Sequence, residues 1–220
     1  VTNAQAPRLF TGKRESHWAH QRAQQAIDEG DVVRFFCCFT SGGGWPMQLV
    51  EWNHRLLADR GLYEVALAYA FTNSKVGNHH LAMWRLEAMF AKADRARLRD
   101  AGEPMPDGER FTLYRGVAGK GAARRVRGYS WTDSKQTAAW FAVCAAWFGL
   151  ADPAVYEAVV DRSDVLFFDD SRGEREFVVR PTKAKRVPIS GDELRAMHAR
   201  EIEARRQRND RPVSGVEKGR

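Results

Sequence analysis

The sequence predicts an α+β fold in which a mainly helical segment leads into a β-rich core. Apolar residues recur at helical spacing before the turn-rich connector Gly102-Glu103-Pro104-Met105-Pro106-Asp107-Gly108 and give way to short β-prone runs after it. One strongly apolar helical stretch interrupts those runs at 134–148. From Arg180 onward the periodicity thins, and twelve Lys and Arg stand against six Asp and Glu, six of the net +7 carried by 220 residues. These shifts divide the chain into a mainly helical segment at 1–104, a core at 105–188, and a basic, partly helical tail at 189–220.

In the first segment, helices are expected at 14–27, at 46–59 with Pro46 suited to a first turn, at 62–71, and at 81–99, where Leu81, Trp84, Ala88 and Ala91 share a face. The apolar run Phe35-Phe36-Cys37-Cys38-Phe39 predicts that both cysteines are buried as small hydrophobes. Three cysteines give no disulfide framework, and a reducing cytoplasm is expected. A hydrophobic share of 44% and a charged share of 29% suit a soluble globular protein, and no run reaches the ~20 apolar residues of a membrane span. The start Val1-Thr2-Asn3-Ala4-Gln5 shows no signal-peptide pattern. Val1 suits an alternative start codon read literally, as in a bacterial or phage reading frame, and equally a processed chain.

In the core, strands are expected at 111–114, 155–160, 165–168 and 177–179. The 134–148 helix carries two apolar stripes, Ala138, Phe141, Ala142, Ala145 and Phe148 on one side and Trp140, Cys144 and Trp147 on the other. It is therefore expected to be buried, with Thr132 or Asp133 as its cap.

Three short motifs follow one another here. Leu113-Tyr114-Arg115-Gly116 ends a strand, Tyr129-Ser130-Trp131-Thr132 leads into the buried helix, and Gly173-Glu174-Arg175-Glu176-Phe177-Val178-Val179 opens a strand. Each alone arises often by chance; an arginine pairing with a surface carboxylate is the plain reading of the first, and a solvated acidic strand edge of the third. In this order and context they resemble the Arg-Ser-Glu class of mono-ADP-ribosyltransferases, over roughly 111–180.

That resemblance implies a core of two packed mixed β-sheets and NAD as co-substrate. It implies that Arg115 binds the NAD phosphates, that Gly116 offers backbone groups to the nicotinamide amide, and that Tyr114, Ser130, Thr132 and Phe141 complete the NAD site. A planar cation with several donors suits a diphosphate, and a glycine lets the backbone approach a flat ring. Ser130 would hold the catalytic Glu176, whose carboxylate stabilises positive charge developing on the ribose. Trp131, alternating away from Ser130 and Thr132, reads as a core aromatic. Glu174 shares a face with Glu176 on an extended strand, and in this class a glutamate there accompanies transfer to arginine. Asp169, Asp170 and Arg172 occupy the place of the acceptor-recognition loop.

Other signals are weaker. Ser41-Gly42-Gly43-Gly44-Trp45-Pro46 lacks the lysine and hydroxyl of a phosphate-binding loop. His17 with His20, and His79-His80, have no completing ligand, and no metal is expected. A helix starting at Ser190-Gly191-Asp192-Glu193 carries Arg195, Arg200, Arg205, Arg206 and Arg208 among glutamates and reads as a solvated face. Its alternative is a polyanion surface together with Lys183, Lys185, Arg186, Lys120, Arg124, Arg125 and Arg127.

Three functions therefore compete: ADP-ribose transfer to a protein side chain, arginine foremost; transfer to RNA or DNA; and a binding module with a vestigial NAD site. No membrane partner is expected. A role as a toxin or a phage modifier fits the class, and the sequence does not indicate an antitoxin or inhibitor.

Overall fold

The computed structural model describes residues 9–10, 17–39, 46–74, 81–121, 124–147 and 149–210. The chain divides into two compact units, Val1–Pro104 and Met105–Arg220. The Ser41–Trp45 loop, His79-His80, the helix start at 14–16 and Phe148 lie outside the described residues.

The first unit is helical throughout its described residues: α1 (His17–Asp28), α2 (Val32–Cys37), α3 (Pro46–Trp52), α4 (His54–Asp59), α5 (Tyr63–Thr72), α6 (Met83–Lys92) and α7 (Arg95–Asp100). Two stretches expected as single helices are each broken. Between α3 and α4 the buried Asn53 donates from Nδ2 to the carbonyls of Leu49 (2.8 Å) and Phe10 (2.7 Å), so its side chain bonds backbone groups at the break, the Leu49 carbonyl also accepting the Asn53 N–H. Before α7 the backbone extends at Ala93 and Asp94, and the Asp94 carboxylate restarts the helix by accepting the Arg97 N–H at 2.9 Å.

Helix α2 was not expected. Asp31 caps it by accepting the Arg34 N–H, and Val32, Phe35, Phe36 and Phe39 are buried at helical spacing. The same rotation leaves Cys37 exposed and Cys38 half-buried, which corrects the expectation that both cysteines are core residues.

The second unit contains β1 (Arg110–Val117), β2 (Ser130–Thr132), α8 (Lys135–Trp147), β3 (Ala154–Asp161), β4 (Phe167–Asp169), β5 (Glu176–Val178), β6 (Lys185–Arg186) and α9 (Gly191–Asn209). Its fold is α+β. The expected pair of mixed sheets is not shown: the described strands form one six-stranded sheet, β4-β5-β2-β1-β3-β6, antiparallel at every neighbour. The reason is a single register pair, Tyr114 with Thr132, which joins the three-stranded half β4-β5-β2 to the half β1-β3-β6.

Pleat alternation gives this sheet two different faces. One carries an aromatic and aliphatic core of Phe111, Leu113, Trp131, Val160, Phe168 and Phe177. Against the other packs α8, through Ala138 and Ala139, with Val155, Leu194 and Met197. Close approach of α8 requires a glycine at 116, since a Cβ there would stand 1.9 Å from the Ala138 carbonyl oxygen. The cap of α8 is Ser134, whose Oγ accepts the Thr137 N–H at 3.1 Å, rather than Thr132 or Asp133. Those two are engaged elsewhere, Thr132 with the Glu174 carbonyl and Asp133 with Arg175.

Helix α9 starts at Ser190, which accepts the Glu193 N–H. It is not a fully solvated tail. Leu194 and Met197 are buried against α8, and burial of each such side chain contributes about 1.5–3 kcal/mol. Among the described residues no helix is long and apolar enough to cross a membrane.

Candidate active site

Register brings the three motifs together. Tyr114 on β1 pairs with Thr132 on β2, Thr132 pairs with Glu176 on β5, and Glu176 pairs with Asp169 on β4. Directly paired residues point to the same face, so these four stand in one polar row on the side of the sheet that carries α8. Ser130, two residues before Thr132, shares that face, and its hydroxyl hydrogen-bonds the Glu176 carboxylate. Trp131 lies in the opposite core, as alternation requires, and its indole N–H is satisfied by the Gly128 carbonyl at 2.9 Å.

Arg115 reaches the site from β1. Its Nη1 donates to the Ser130 carbonyl and its Nε to the Arg125 carbonyl at 3.2 Å. Gly128 makes room for it: a Cβ there would stand 2.2 Å from Arg115 Nη2. Among the described residues Arg115 forms no ion pair, so its cation is held by backbone dipoles alone. Burial pushes its pKa down to about 10, against the pull of Glu176 and with the push of Arg125. It stays protonated at neutral pH.

Glu176 is 6% exposed. Burial pushes its carboxyl above the usual range, the Ser130 hydroxyl and Arg172 oppose that push, and the carboxylates of Glu174 and Asp169 add to it. Arg172 Nη2 lies 3.0 Å from Glu176 Oε2 and 3.0 Å from Glu174 Oε2, bridging the two acids.

The relation between these two acids differs from the sequence expectation. An extended strand would put them on one face by alternation, but β5 begins at Glu176 and Arg175 adopts a left-handed conformation, φ 47°. That conformation is uncommon for a residue with a side chain. It is held by Asp133, which accepts from Arg175 Nε and Nη2, and by the Asp170 carboxylate, which accepts the Arg175 N–H at 2.9 Å. The carboxylates meet on Arg172 through this turn and not through pleating. In the turn itself Asp169 accepts from the Ser171 N–H and hydroxyl. Of the three loop residues expected to meet an acceptor, Arg172 bridges the acid pair and Asp169 stands beside Glu176 as its register partner.

The remaining expected residues divide. Thr132 donates to the Glu174 carbonyl at 2.8 Å and so fixes the loop before the acids. Tyr114 packs on the α8 side with its hydroxyl bonded to Glu157, a structural placement. The side chain that Gly116 lacks would meet α8, which gives that glycine a packing role. Phe141 is half-buried, edge-on to Trp140, with the Arg205 guanidinium 5.8 Å from its centroid.

Sequence reasoning missed Trp140, Glu201 and Arg205 as site residues. The signal was present, since Leu194, Met197, Glu201, Arg205 and Arg208 follow one another at steps of three and four along α9. The density of arginines on the other faces hid this stripe. Several of the basic residues proposed for a polyanion are engaged in ion pairs: Arg124 and Arg186 with Asp152, Lys185 with Glu157, and Arg205 and Arg208 with Glu201. A recess of about 280 Å³ lined by Val126, Arg127, Trp131, Pro181, Thr182, Lys183 and Ala184 includes none of the Arg115, Ser130, Glu176 set.

Compared with protein-family models, with curated proteins and with solved structures, the chain matches none.

Proposed function

We propose that the unit from Met105 onward is a mono-ADP-ribosyltransferase that uses NAD and modifies a protein side chain, most readily arginine. The observation that carries this reading is that Ser130 and Glu176 stand together on one face of the sheet while the buried Arg115 guanidinium, from the adjacent strand β1, hydrogen-bonds the Ser130 carbonyl and feels the charge of Glu176. A buried carboxylate steadied by a hydroxyl, beside a cation with no carboxylate of its own, is the donor set that an anionic dinucleotide with a reactive ribose requires. Arg115 would hold the diphosphate, with Ser130 and Phe141 around the remainder, while Tyr114, Gly116 and Thr132 shape the site from behind through their packing and loop contacts. The separation of the sheet into two halves joined at one pair is also in keeping with the two-sheet core of that class.

Bound NAD supplies a ribosyl C1′ with nicotinamide as its leaving group. Glu176 stabilises the positive charge that develops on the ribose, and its water-poor surroundings strengthen that effect. Glu174 takes the proton that the acceptor nitrogen loses as its bond to C1′ forms and nicotinamide departs with the electrons of the broken glycosidic bond. Ser130 holds the Glu176 carboxylate in place, and Arg172 must leave it when a ribose hydroxyl takes its position. The free cysteines among the described residues suit a reducing compartment, the cytoplasm, as the place of action.

The test is labelled NAD with a cell lysate, comparing the unaltered chain, Glu176→Gln and Glu174→Gln. Glu176→Gln should slow nicotinamide release about 10²–10³-fold, the range for loss of a group that stabilises developing charge. Glu174→Gln should lose transfer and keep NAD hydrolysis. Label removed by protease supports a protein acceptor. Label removed by nuclease moves the acceptor to RNA or DNA, for which Arg127 and Lys183 in the recess are the contacts to mutate. If the unaltered chain releases no nicotinamide and labels nothing, the reading fails.

A further inference from the structure

Helix α9 places one arginine against the acid pair. Arg205 Nη1 donates to Glu174 Oε1 at 3.0 Å and its Nε to Glu201 Oε1 at 3.1 Å. Its guanidinium carbon stands 3.8 Å from the centroid of the Trp140 ring. A planar cation thus lies on an indole face with a carboxylate at each of two edges, the combination of charge, directed acceptors and π surface that selects a guanidinium over an ammonium. Glu201 is only 3% exposed and is anchored independently, accepting from Gln136 of α8 at 3.1 Å and from Arg208 at 2.9 Å. The pocket wall therefore does not depend on Arg205.

Two observations separate this arginine from a purely structural one. Arg175 closes a full fork on Asp133, with Nε and Nη2 both engaged. Arg205 Nη2, by contrast, is buried with no hydrogen-bond partner among the described residues, so this guanidinium is held less completely than that of Arg175 and is the easier of the two to displace. Second, the pocket opens onto the catalytic acids. Glu174 binds Arg205 through one oxygen and, through the other, the Arg172 that bridges to Glu176.

We propose that Glu174, Glu201, Trp140 and Phe141 form a guanidinium-binding subsite that Arg205 fills in cis, and that an arginine of the protein acceptor enters it by displacing Arg205. The acceptor role rests on the transferase reading above; the existence of the subsite does not. Arg205 then acts as an internal competitor that sets how tightly an acceptor must bind.

Agmatine, a small free guanidinium, tests this without NAD. By titration calorimetry Arg205→Ala and Arg205→Gln should each bind it about tenfold more tightly than the unaltered chain, since the competing cation is gone. Arg208→Ala loosens Glu201 equally and leaves Glu174 occupied, so its affinity should stay where it was. Adding Glu174→Gln to Arg205→Ala should cancel the gain. With NAD present, Arg205→Ala should lower KM for agmatine and leave KM for NAD unchanged. Should both Arg205 variants misfold, the indole N–H resonance of Trp140 in the unaltered chain must still move at saturating agmatine. No gain in the folded variants, an equal gain in Arg208→Ala, or an immobile Trp140 resonance overturns the subsite. Agmatine binding without any nicotinamide release sinks the transferase reading and leaves the subsite standing.

Discussion

The helical unit and the sheet unit each bury a glutamate to the same 6% exposure, and the two are treated in opposite ways. Glu64 of α5 accepts the Asp94 backbone N–H at 3.0 Å and pairs with Arg97 at 3.3 Å, so its charge closes the start of α7. Glu176 of β5 has a hydroxyl and a half-exposed arginine as partners and two further carboxylates nearby, and burial dominates its titration. The first carboxylate is used up by the fold. The second is held in a state that the fold only partly compensates, which is how a reactive group is expected to be kept. Equal burial of one residue type therefore says little until its partners are counted.

The contrast can be broken most forcefully through packing. Gly116→Ala should destabilise the sheet unit by about 3 kcal/mol, because its Cβ meets the backbone of α8 and not the end of a flexible side chain. A Tm within a degree of the unaltered chain would show that α8 does not press on β1. In the helical unit, Glu64→Gln should cost about 1–2 kcal/mol through the weakened hydrogen bond and lost ion pair, and leave the proposed NAD turnover by the folded protein unchanged. A loss of turnover without loss of stability would tie Glu64 to the chemistry and end the distinction.

The smallest effect is the one that sharpens it. A carboxyl whose folded pKa is raised binds protons more readily in the native state, so its buried charge costs stability above that pKa and the cost fades as pH falls through it. Glu176→Gln should therefore raise Tm modestly at neutral pH, in thermal melts, with the gap to the unaltered chain closing as the pH is lowered through the raised value toward the ordinary carboxylate range. Arg115 behaves in the other direction: the cost of burying its cation fades only as pH rises through about 10, so it adds nothing to this trend near neutrality. A Glu176→Gln chain less stable than the parent at pH 7 would place this acid with Glu64 as a structural group.

Much of this was legible in the sequence. The change of texture near 104 coincides with the division between the two units, and the three motifs fall on β1, on β2 before α8, and at β5. Trp131 could be assigned to the core because strand alternation is a local rule. The helix breaks at Asn53 and Asp94 were not read, since both depend on side chains serving backbone groups within long apolar patterns. Arg175 was read as extended, because a left-handed arginine is disfavoured locally and is held here by Asp133 and Asp170.

By itself the sequence determined which residues could do chemistry, their order, and the local elements that carry them, because spacing and alternation act within a few residues. Only the tertiary structure decided which strands lie side by side, that one pair at Tyr114 and Thr132 joins the sheet, that Gly116 is held by packing on α8, and that Arg205 reaches Glu174 across 31 positions of chain. Those outcomes depend on burial and pairing between distant segments, where the favourable contact exists only once the loop has closed.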